Sequence, residues 1–384
     1  MKAYIFAFRF YNYEKERPNL GGTQTYITEL SEVLYSQGYE VKILDEKKGY
    51  NEKNKFGAFN HFTVEEFFYG HNLNKAFHSY YKNHSDVETL FIIGDDEQDI
   101  YPKGIKNLIS IQHGIGWDSV RNGGKKSMPF IFPIYKLRRC VSKLRKYIGG
   151  SNYVCVDYNY FNWLRTLYDV PKGRYLSVIP NFSSGKLSQS EVKNKLNSIT
   201  DLKGLNIVFA RRLQWYRGPI MWANVVKKIS VEYPSLRFTI AGEGMCEEEV
   251  HKILKGIPNI TYAKFNAEDS ISFHTPFHIA IVPTIFSEGT SLSACEAMAS
   301  GCFPIVSHVG GLTNIILDKF NGRLFYPSED ELYKTIHDVL EMDINEFKTI
   351  AMRAYESAIT TFSRETWAEK WIAVINKVMC HPND

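Results

Sequence analysis

The sequence predicts an α/β protein built from two doubly wound, largely parallel sheets. Three observations carry that expectation. Short apolar, β-rich runs alternate with longer helix-like stretches along the whole chain. The strand runs are almost continuously apolar, as expected for parallel strands covered on both faces. The alternation pauses at a polar segment, 183–204, and then begins again.

The first series of strand runs is AYIFAF (3–8), EVKIL (40–44), TLFIIG (89–94), NLISIQ (107–112), YVCVD (153–157) and YLSVI (175–179). A helical stretch fills 23–37 and stops at Gly38. The second series is LNIVFA (205–210), LRFTIAG (236–242), NITYA (259–263), HIAIVP (278–283) and FPIVS (303–307). Helical stretches at 219–232, 246–255, 291–300 and 330–342 separate or follow these strands. The segment 183–204 is rich in Ser, Lys and Asn and holds no strand-like run, so it reads as an inter-domain linker. Residues 364–379 read as an amphipathic helix with Trp367, Trp371, Ile372, Val374 and Ile375 as its apolar residues. The expected domains are 1–182 and 205–363, facing a cleft, with 364–384 as a C-terminal helix able to cross back onto the first domain.

Length and composition bound the function. A chain of 384 residues has room for two ordinary domains. With 46 Lys plus Arg against 42 Asp plus Glu, the net charge of +4 argues against wholesale coating of nucleic acid. Six cysteines without a CxxC pair read as reduced structural thiols, and the location expected is cytoplasmic. Met1-Lys2 runs straight into AYIFAF and Arg9, with no secretory leader pattern. No apolar run approaches the roughly 18 residues that span a bilayer.

The most informative segment is TIFSEGTSLSACEAMASG, 284–301. It follows a strand and opens a helix, with Gly289, Thr290 and Ser291 at the helix start. Free N–H groups and the positive end of the helix dipole favour a phosphate there. Glu288 stands just before the helix, and Glu296 lies eight residues later among Ala and Met. A buried carboxylate needs a partner, and a ribose diol could supply one. The alternative is local: a capping box, with Ser293 as N-cap and Glu296 reaching back to it.

The string EGTSLSACEAMASGCFPIVSHVGG, 288–311, resembles the family-4 retaining glycosyltransferases, whose fold is GT-B. Their signature is a Glu, seven residues, a second Glu within E-A-M-A-x-G, then a strand and a Gly-rich turn. The resemblance implies a GT-B fold of two Rossmann-like domains and transfer of a sugar from a nucleotide-diphosphate sugar with retention of configuration. It extends to RRLQWYRG (211–218), in the place of the family's G-R-L-x-x-x-K-G. Arg212 matches the family arginine, Arg217 replaces its lysine, and Arg211 replaces its glycine. The resemblance makes Arg212 and Arg217 the clamp on the donor diphosphate, helped by Gly22 and the backbone of Gly289, Thr290 and Ser291. It makes Glu296 the ribose ligand, and Glu288 a catalytic contact to the donor sugar or diphosphate. A solvated basic loop is the bland reading of 211–218. AGEG (241–244) reads as a tight turn without chemistry, and NITYAKF (259–265) matches the family segment whose backbone holds the base. In SVIPNF (177–182) the family's Asn is kept as Asn181, but Phe182 replaces the glycine.

In the first half, Gly21-Gly22 opens the first helix and corresponds to the family's acceptor and phosphate loop. His113 ends a strand, where open α/β sheets place ligands, and matches a family histidine that contacts the transferred sugar. It is the second residue expected to be catalytic. The acidic cluster GDDEQD (94–99) follows a strand but lacks a D-x-D, so no metal is expected there and no cofactor beyond the donor substrate.

Residues 119–150 hold nine basic and no acidic side chains, leaving 37 basic against 42 acidic residues elsewhere. Interleaved aromatic and aliphatic residues suggest contact with an anionic membrane surface through Lys136, Arg138, Arg139, Lys143, Arg145 and Lys146. No nucleic-acid motif accompanies them, and a solvated helix face is the plain alternative. The expectation is therefore a peripheral, cytoplasmic enzyme that uses a nucleotide-sugar donor and a glycan or lipid-linked acceptor in surface polysaccharide (O-antigen or capsule) synthesis. A different GT-B enzyme, such as a nucleotide-sugar epimerase or hydrolase, and an inactive sugar- or lipid-binding scaffold fit the same motifs.

Overall fold

The computed structural model describes residues 1–12, 17–19, 21–46, 57–58, 61–67, 71–95, 100–114, 131–148, 152–170, 173–265, 269–286 and 288–380. These divide into two units. One comprises described residues up to His113, those from Ile131 to Ile179, and those from Trp367 onward. The other comprises Gly114 and Pro180–Thr366.

The first unit contains, in chain order, β1 (Lys2–Phe6), β2 (Tyr11–Asn12), β3 (Arg17–Pro18), α1 (Gly22–Ser36), β4 (Glu40–Asp45), β5 (Gly57–Ala58), β6 (Phe62–Glu66), α2 (Leu73–His84), β7 (Thr89–Ile93), β8 (Leu108–Gln112), α3 (Ile131–Ile148), β9 (Asn152–Cys155), α4 (Tyr158–Leu167) and β10 (Leu176–Val178). Eight of the strands form one sheet in the order β10-β9-β8-β7-β1-β4-β6-β5. Every pairing is parallel except β5 with β6. All residues of β7, β8 and β9 are buried, which is why their sequences show no polar alternation.

The second unit contains α5 (Gln189–Asn197), β11 (Asn206–Ala210), α6 (Pro219–Glu232), β12 (Arg237–Ala241), α7 (Glu247–Leu254), β13 (Ile260–Ala263), α8 (Ser270–His274), β14 (Ile279–Val282), α9 (Leu292–Ala299), β15 (Phe303–Ser307), β16 (Arg323–Phe325), α10 (Glu329–Leu340) and α11 (Ile344–Thr361). Its parallel sheet runs β13-β12-β11-β14-β15-β16. Numbered from β11, that is the 3-2-1-4-5-6 order of a dinucleotide-binding sheet. The order reverses between β11 and β14, and in such sheets ligands bind where the loops leaving those two strands part.

One sequence expectation fails here. Residues 183–204 are not a free linker. Ser188 and Glu191 form a reciprocal capping box that starts α5. Val192, Leu196, Ile199 and Leu202 then join the core of the second unit. The segment's polar composition hid an amphipathic helix whose few apolar residues all point one way. The eighteen-residue α11 also went unrecognised, although Phe347, Ile350, Ala351, Ala354, Tyr355 and Ala358 line one buried face.

The last helix, α12 (Arg364–Met379), packs from Trp367 onward within the first unit. Trp371 donates from Nε1 to the Tyr26 hydroxyl at 2.9 Å. Trp367 meets the Tyr26 ring edge-on at 5.0 Å. Lys377 sits over the Tyr175 ring at 4.0 Å. All three rings of this cluster, Tyr26, Trp367 and Trp371, are fully buried. Tyr26→Phe removes only the acceptor and leaves the Trp371 N–H buried without it. It is expected to cost about 1–3 kcal/mol, read as a lower urea midpoint at unchanged m-value.

Candidate functional site

The site grows from the two loops that leave the sheet at its switch point. After β11 the chain continues as Arg211-Arg212-Leu213 and closes a short turn at Trp215–Arg217. The backbone of this loop is held by AGEG: Arg211 N–H donates to Ala241 O and Leu213 N–H to Glu243 O. A Cβ on Gly242 would lie 2.1 Å from Arg211 O, and its φ is +140°. Only glycine lets the two backbones approach this closely, so this turn serves the loop that carries the arginines.

After β14 the second loop runs from Thr284 to Ser291 and into α9. Ile285 N–H donates to Tyr216 O at 2.9 Å, tying the two loops together. Gly311 N–H donates to Glu288 O at 2.8 Å. Gly310, at φ +51°, has no room for a side chain, since its Cβ would sit 2.1 Å from Glu288 O. On the other flank Asn181 N–H donates to the Thr290 hydroxyl at 2.7 Å, and the Asn181 side-chain amide donates to Thr290 O. Glu288, Gly289, Thr290 and Ser291 are all buried.

Three donors converge on a single oxygen, Oε2 of Glu288. They are the Thr284 hydroxyl at 2.8 Å, the Arg211 guanidinium at 2.7 Å, and the Arg217 guanidinium. Arg211 also donates to the Thr284 hydroxyl and, at 3.5 Å, to the Ser291 hydroxyl. Burial pushes the Glu288 carboxyl up, but Arg211 and Arg217 outweigh it and hold it at about 2. Burial lowers Arg211 to about 10 against the pull of Glu288. Arg217 is raised: burial disfavours its charge, and Glu288 more than compensates.

Glu296 lies in the middle of α9, in the opposite environment. Burial raises its carboxyl to about 7, opposed only by a hydrogen bond from the Ser270 hydroxyl. The capping-box alternative fails. Ser291, not Ser293, is the N-cap of α9; its side chain makes no capping bond, and Glu296 meets Ser270 on α8 instead.

The structure places the other expected site residues as follows. Arg212 is exposed, while its neighbour Arg211, which the sequence reading passed over, is the one bound to Glu288. The missed signal was an arginine in the motif's glycine position, directly after a buried strand. In the first unit His113 follows β8 and donates from Nε2 to Gly94 O at 2.8 Å, with its ring edge-on to Tyr26 at 5.1 Å. Gly21 is the N-cap of α1 and Gly22 its first residue. Before them Arg9 adopts a left-handed φ of 59°, and its carbonyl accepts from the side chains of Asn19 and Gln24. Gly94 and Asp95 of the acidic cluster are described; 96–99 lie outside the described residues.

The basic segment is corrected. Lys143 and Lys146 are 2 % and 3 % exposed and do not belong to a surface patch. They lie three residues apart on the packed face of α3, where the ammonium of Lys146 sits 5.6 Å above the Tyr101 ring. Arg138 and Arg145 are exposed, beside the exposed Leu137 and Val141. The side chains of Lys136 and Arg139, and residues 119–130, lie outside the described ones.

Residues 204–342 match the family model of the glycosyl transferases group 1. The matched stretch lies within the second unit. A 110-residue stretch is 24 % identical to the sulfoquinovosyl transferase SQD2 of Arabidopsis thaliana, covering 28 % of this chain and 21 % of that one. The match therefore spans about a fifth of that curated relative. Among solved structures, a sucrose-phosphate synthase from Thermosynechococcus elongatus is 15 % identical, with 98 % of each chain covered and a TM-score of 0.73. Alr3699/HepE of Anabaena, solved with UDP and glucose, is 15 % identical over 98 % of this chain and 99 % of that one, at TM-score 0.67. WaaG, a glycosyltransferase involved in lipopolysaccharide biosynthesis, is 11 % identical over 99 % of this chain and 100 % of that one, at TM-score 0.67. These likenesses fix the fold as GT-B, with two Rossmann-like domains.

The two glutamates of the second unit give opposite pH signatures. The Glu288 carboxyl is held below its ordinary value, so its stabilisation is present above about 4.5 and is lost as pH falls toward about 2. The Glu296 carboxyl is held above its ordinary value, so its contribution is full below about 4.5 and is lost as pH rises through about 7. Glu296→Gln is therefore expected to raise Tm at pH 8 and to change it little at pH 4.5, measured by calorimetry across that range.

Proposed function

We propose that this chain is a retaining glycosyltransferase that moves a sugar from a nucleotide-diphosphate sugar to a glycan or lipid-linked glycan acceptor, in the synthesis of a surface polysaccharide such as O-antigen or capsule. The observation that carries the reading is the cationic cluster at the switch point. Two guanidiniums and the start of α9 converge there against a single carboxylate. That leaves excess positive charge in a buried place, as a diphosphate site requires.

In this reading the bond between the anomeric carbon and the donor phosphate oxygen breaks as the acceptor oxygen bonds to the same face of the sugar. The departing phosphate takes the acceptor's proton. Arg217, Arg212 and the backbone of Gly289, Thr290 and Ser291 stabilise charge as it develops on that phosphate. Glu296 accepts from the ribose hydroxyls, and Glu288 stands at the donor sugar. His113 and the Gly21-Gly22 turn are assigned to the sugar and the phosphate side. Fixed cations can supply the electrostatic role, so the reaction is proposed to need no metal. The solved complex of Alr3699/HepE with UDP and glucose supports a nucleotide-sugar donor. The lipopolysaccharide role of WaaG supports the acceptor class.

The test is binding first and products second. The chain should bind one of UDP, GDP or ADP, and Arg217→Gln should weaken that binding by about 1.5–3 kcal/mol in calorimetric titration. Mass analysis with and without a lipid-linked glycan should show transfer only when the acceptor is present. Release of free sugar or an epimer without acceptor overturns transfer in favour of a hydrolase or epimerase. Binding of none of the three nucleotides overturns the whole reading.

We also propose a cytoplasmic enzyme docked peripherally on an anionic membrane through α3, supported by Leu137, Arg138, Val141 and Arg145 on its exposed face. Among the described residues no helix is long and apolar enough to cross a membrane, and no disulfide joins the six cysteines. Replacing Arg138 and Arg145 with Gln should weaken sedimentation with phosphatidylglycerol vesicles by about 1 kcal/mol per residue, with nucleotide binding unchanged. Wild-type protein that stays in the supernatant overturns the docking.

A further inference from the structure

Glu288 has two cationic partners that differ in kind. The Arg211 side chain is 7 % exposed, and its guanidinium is engaged by Thr284, Glu288 and Ser291, all on the loop that precedes and caps α9. The Arg217 side chain is 19 % exposed and lies at the end of a short turn, with its guanidinium 5.1 Å from the ring of the neighbouring Tyr216. One arginine is bound into the loop; the other stands at its rim.

A buried carboxylate cannot release its only counter-ion without a large desolvation penalty. If Arg217 were the sole partner of Glu288, a diphosphate would have to compete with Glu288 for it. A second buried guanidinium leaves Glu288 a counter-ion when Arg217, which also meets its Oε2 atom, turns to the diphosphate.

We infer that Arg211 is a positioning residue: it is the standing counter-ion of Glu288, and by holding that carboxylate it leaves Arg217 available to the donor's diphosphate. This rests on the nucleotide-sugar reading above. Arg211 acts through Glu288 and the 284–291 loop and does not itself touch phosphate. It stands where the resembling family's motif has glycine, so this chain carries an added ion pair beside its phosphate site.

The experiment is a double-mutant cycle read by UDP affinity, or by GDP or ADP affinity if the wild type prefers one of these. UDP lacks the sugar, so any contact of Glu288 with the sugar does not enter. Arg211→Gln should weaken UDP binding by about tenfold or more at pH 7.5, because Glu288 then holds Arg217. Glu288→Gln should bind UDP at least as well as wild type. Adding Arg211→Gln to it should change affinity by less than about twofold, since the carboxylate through which Arg211 acts is gone. With Arg211 absent, Arg217 and the Thr284 hydroxyl are what remain of the partners described for Glu288 Oε2. A merely structural loss would persist in full in the Glu288→Gln background. Arg211→Lys keeps the charge and should lose less affinity than Arg211→Gln; thermal melting checks that each variant is folded. If Arg211→Gln does not fold, Arg211→Lys carries the test, and a loss there that persists in full in the Glu288→Gln background overturns the inference.

Wild-type affinity in Arg211→Gln overturns it, as does an undiminished loss on adding Arg211→Gln to Glu288→Gln, which would mean that Arg211 contacts the diphosphate. A wild-type chain that binds no nucleoside diphosphate overturns the donor reading and this inference with it. Binding with an additive cycle overturns this inference alone.

Discussion

The second unit's site is organised around one constraint: the Glu288 carboxylate is buried and must be compensated. Arg211, Arg217 and Thr284 all meet its Oε2 atom. The first two come from the loop after β11 and the third from the loop after β14, so the interaction joins the two sides of the sheet's switch point. The glycines follow from the same constraint. Gly310 and Gly311 give way to the backbone at 288–290, and Gly242 gives way to Arg211. Replacing any of them with a larger residue would push on the segment that places the charges.

Glu288 and Glu296 are the same residue type, eight positions apart, with opposite electrostatics. Two guanidiniums beat the cost of burial for Glu288, while a single hydroxyl does not for Glu296. Glu288 is therefore held as an anion among cations, and Glu296 is held toward its neutral form.

Much of the fold was legible. β7, β8, β9, β14 and β15 announced themselves as unbroken apolar runs because both sheet faces are covered. α5 was not legible as part of a core, because its burial rests on Val192 and Leu196 in an otherwise polar sequence. The short β16 and the helix α8 carry too few residues for periodicity to show. On α3, composition showed many cations but not their direction; packing against Tyr101 took Lys146 out of the solvent, and Lys143 is buried as well.

For the site, local sequence determined the loop after β14, the start of α9 and the spacing of Glu288 and Glu296, since all of these are set within about twenty consecutive residues. Spacing could not decide which arginine meets Glu288. Arg211 and Arg212 are adjacent and chemically alike, and an extended backbone sends neighbouring side chains to opposite sides. The tertiary structure turned Arg211 inward to Thr284, Glu288 and Ser291, more than seventy residues further along the chain, and left Arg212 in solvent. Strand pairing brings β11 beside β14 and makes them neighbours, and no local pattern in the sequence records that proximity.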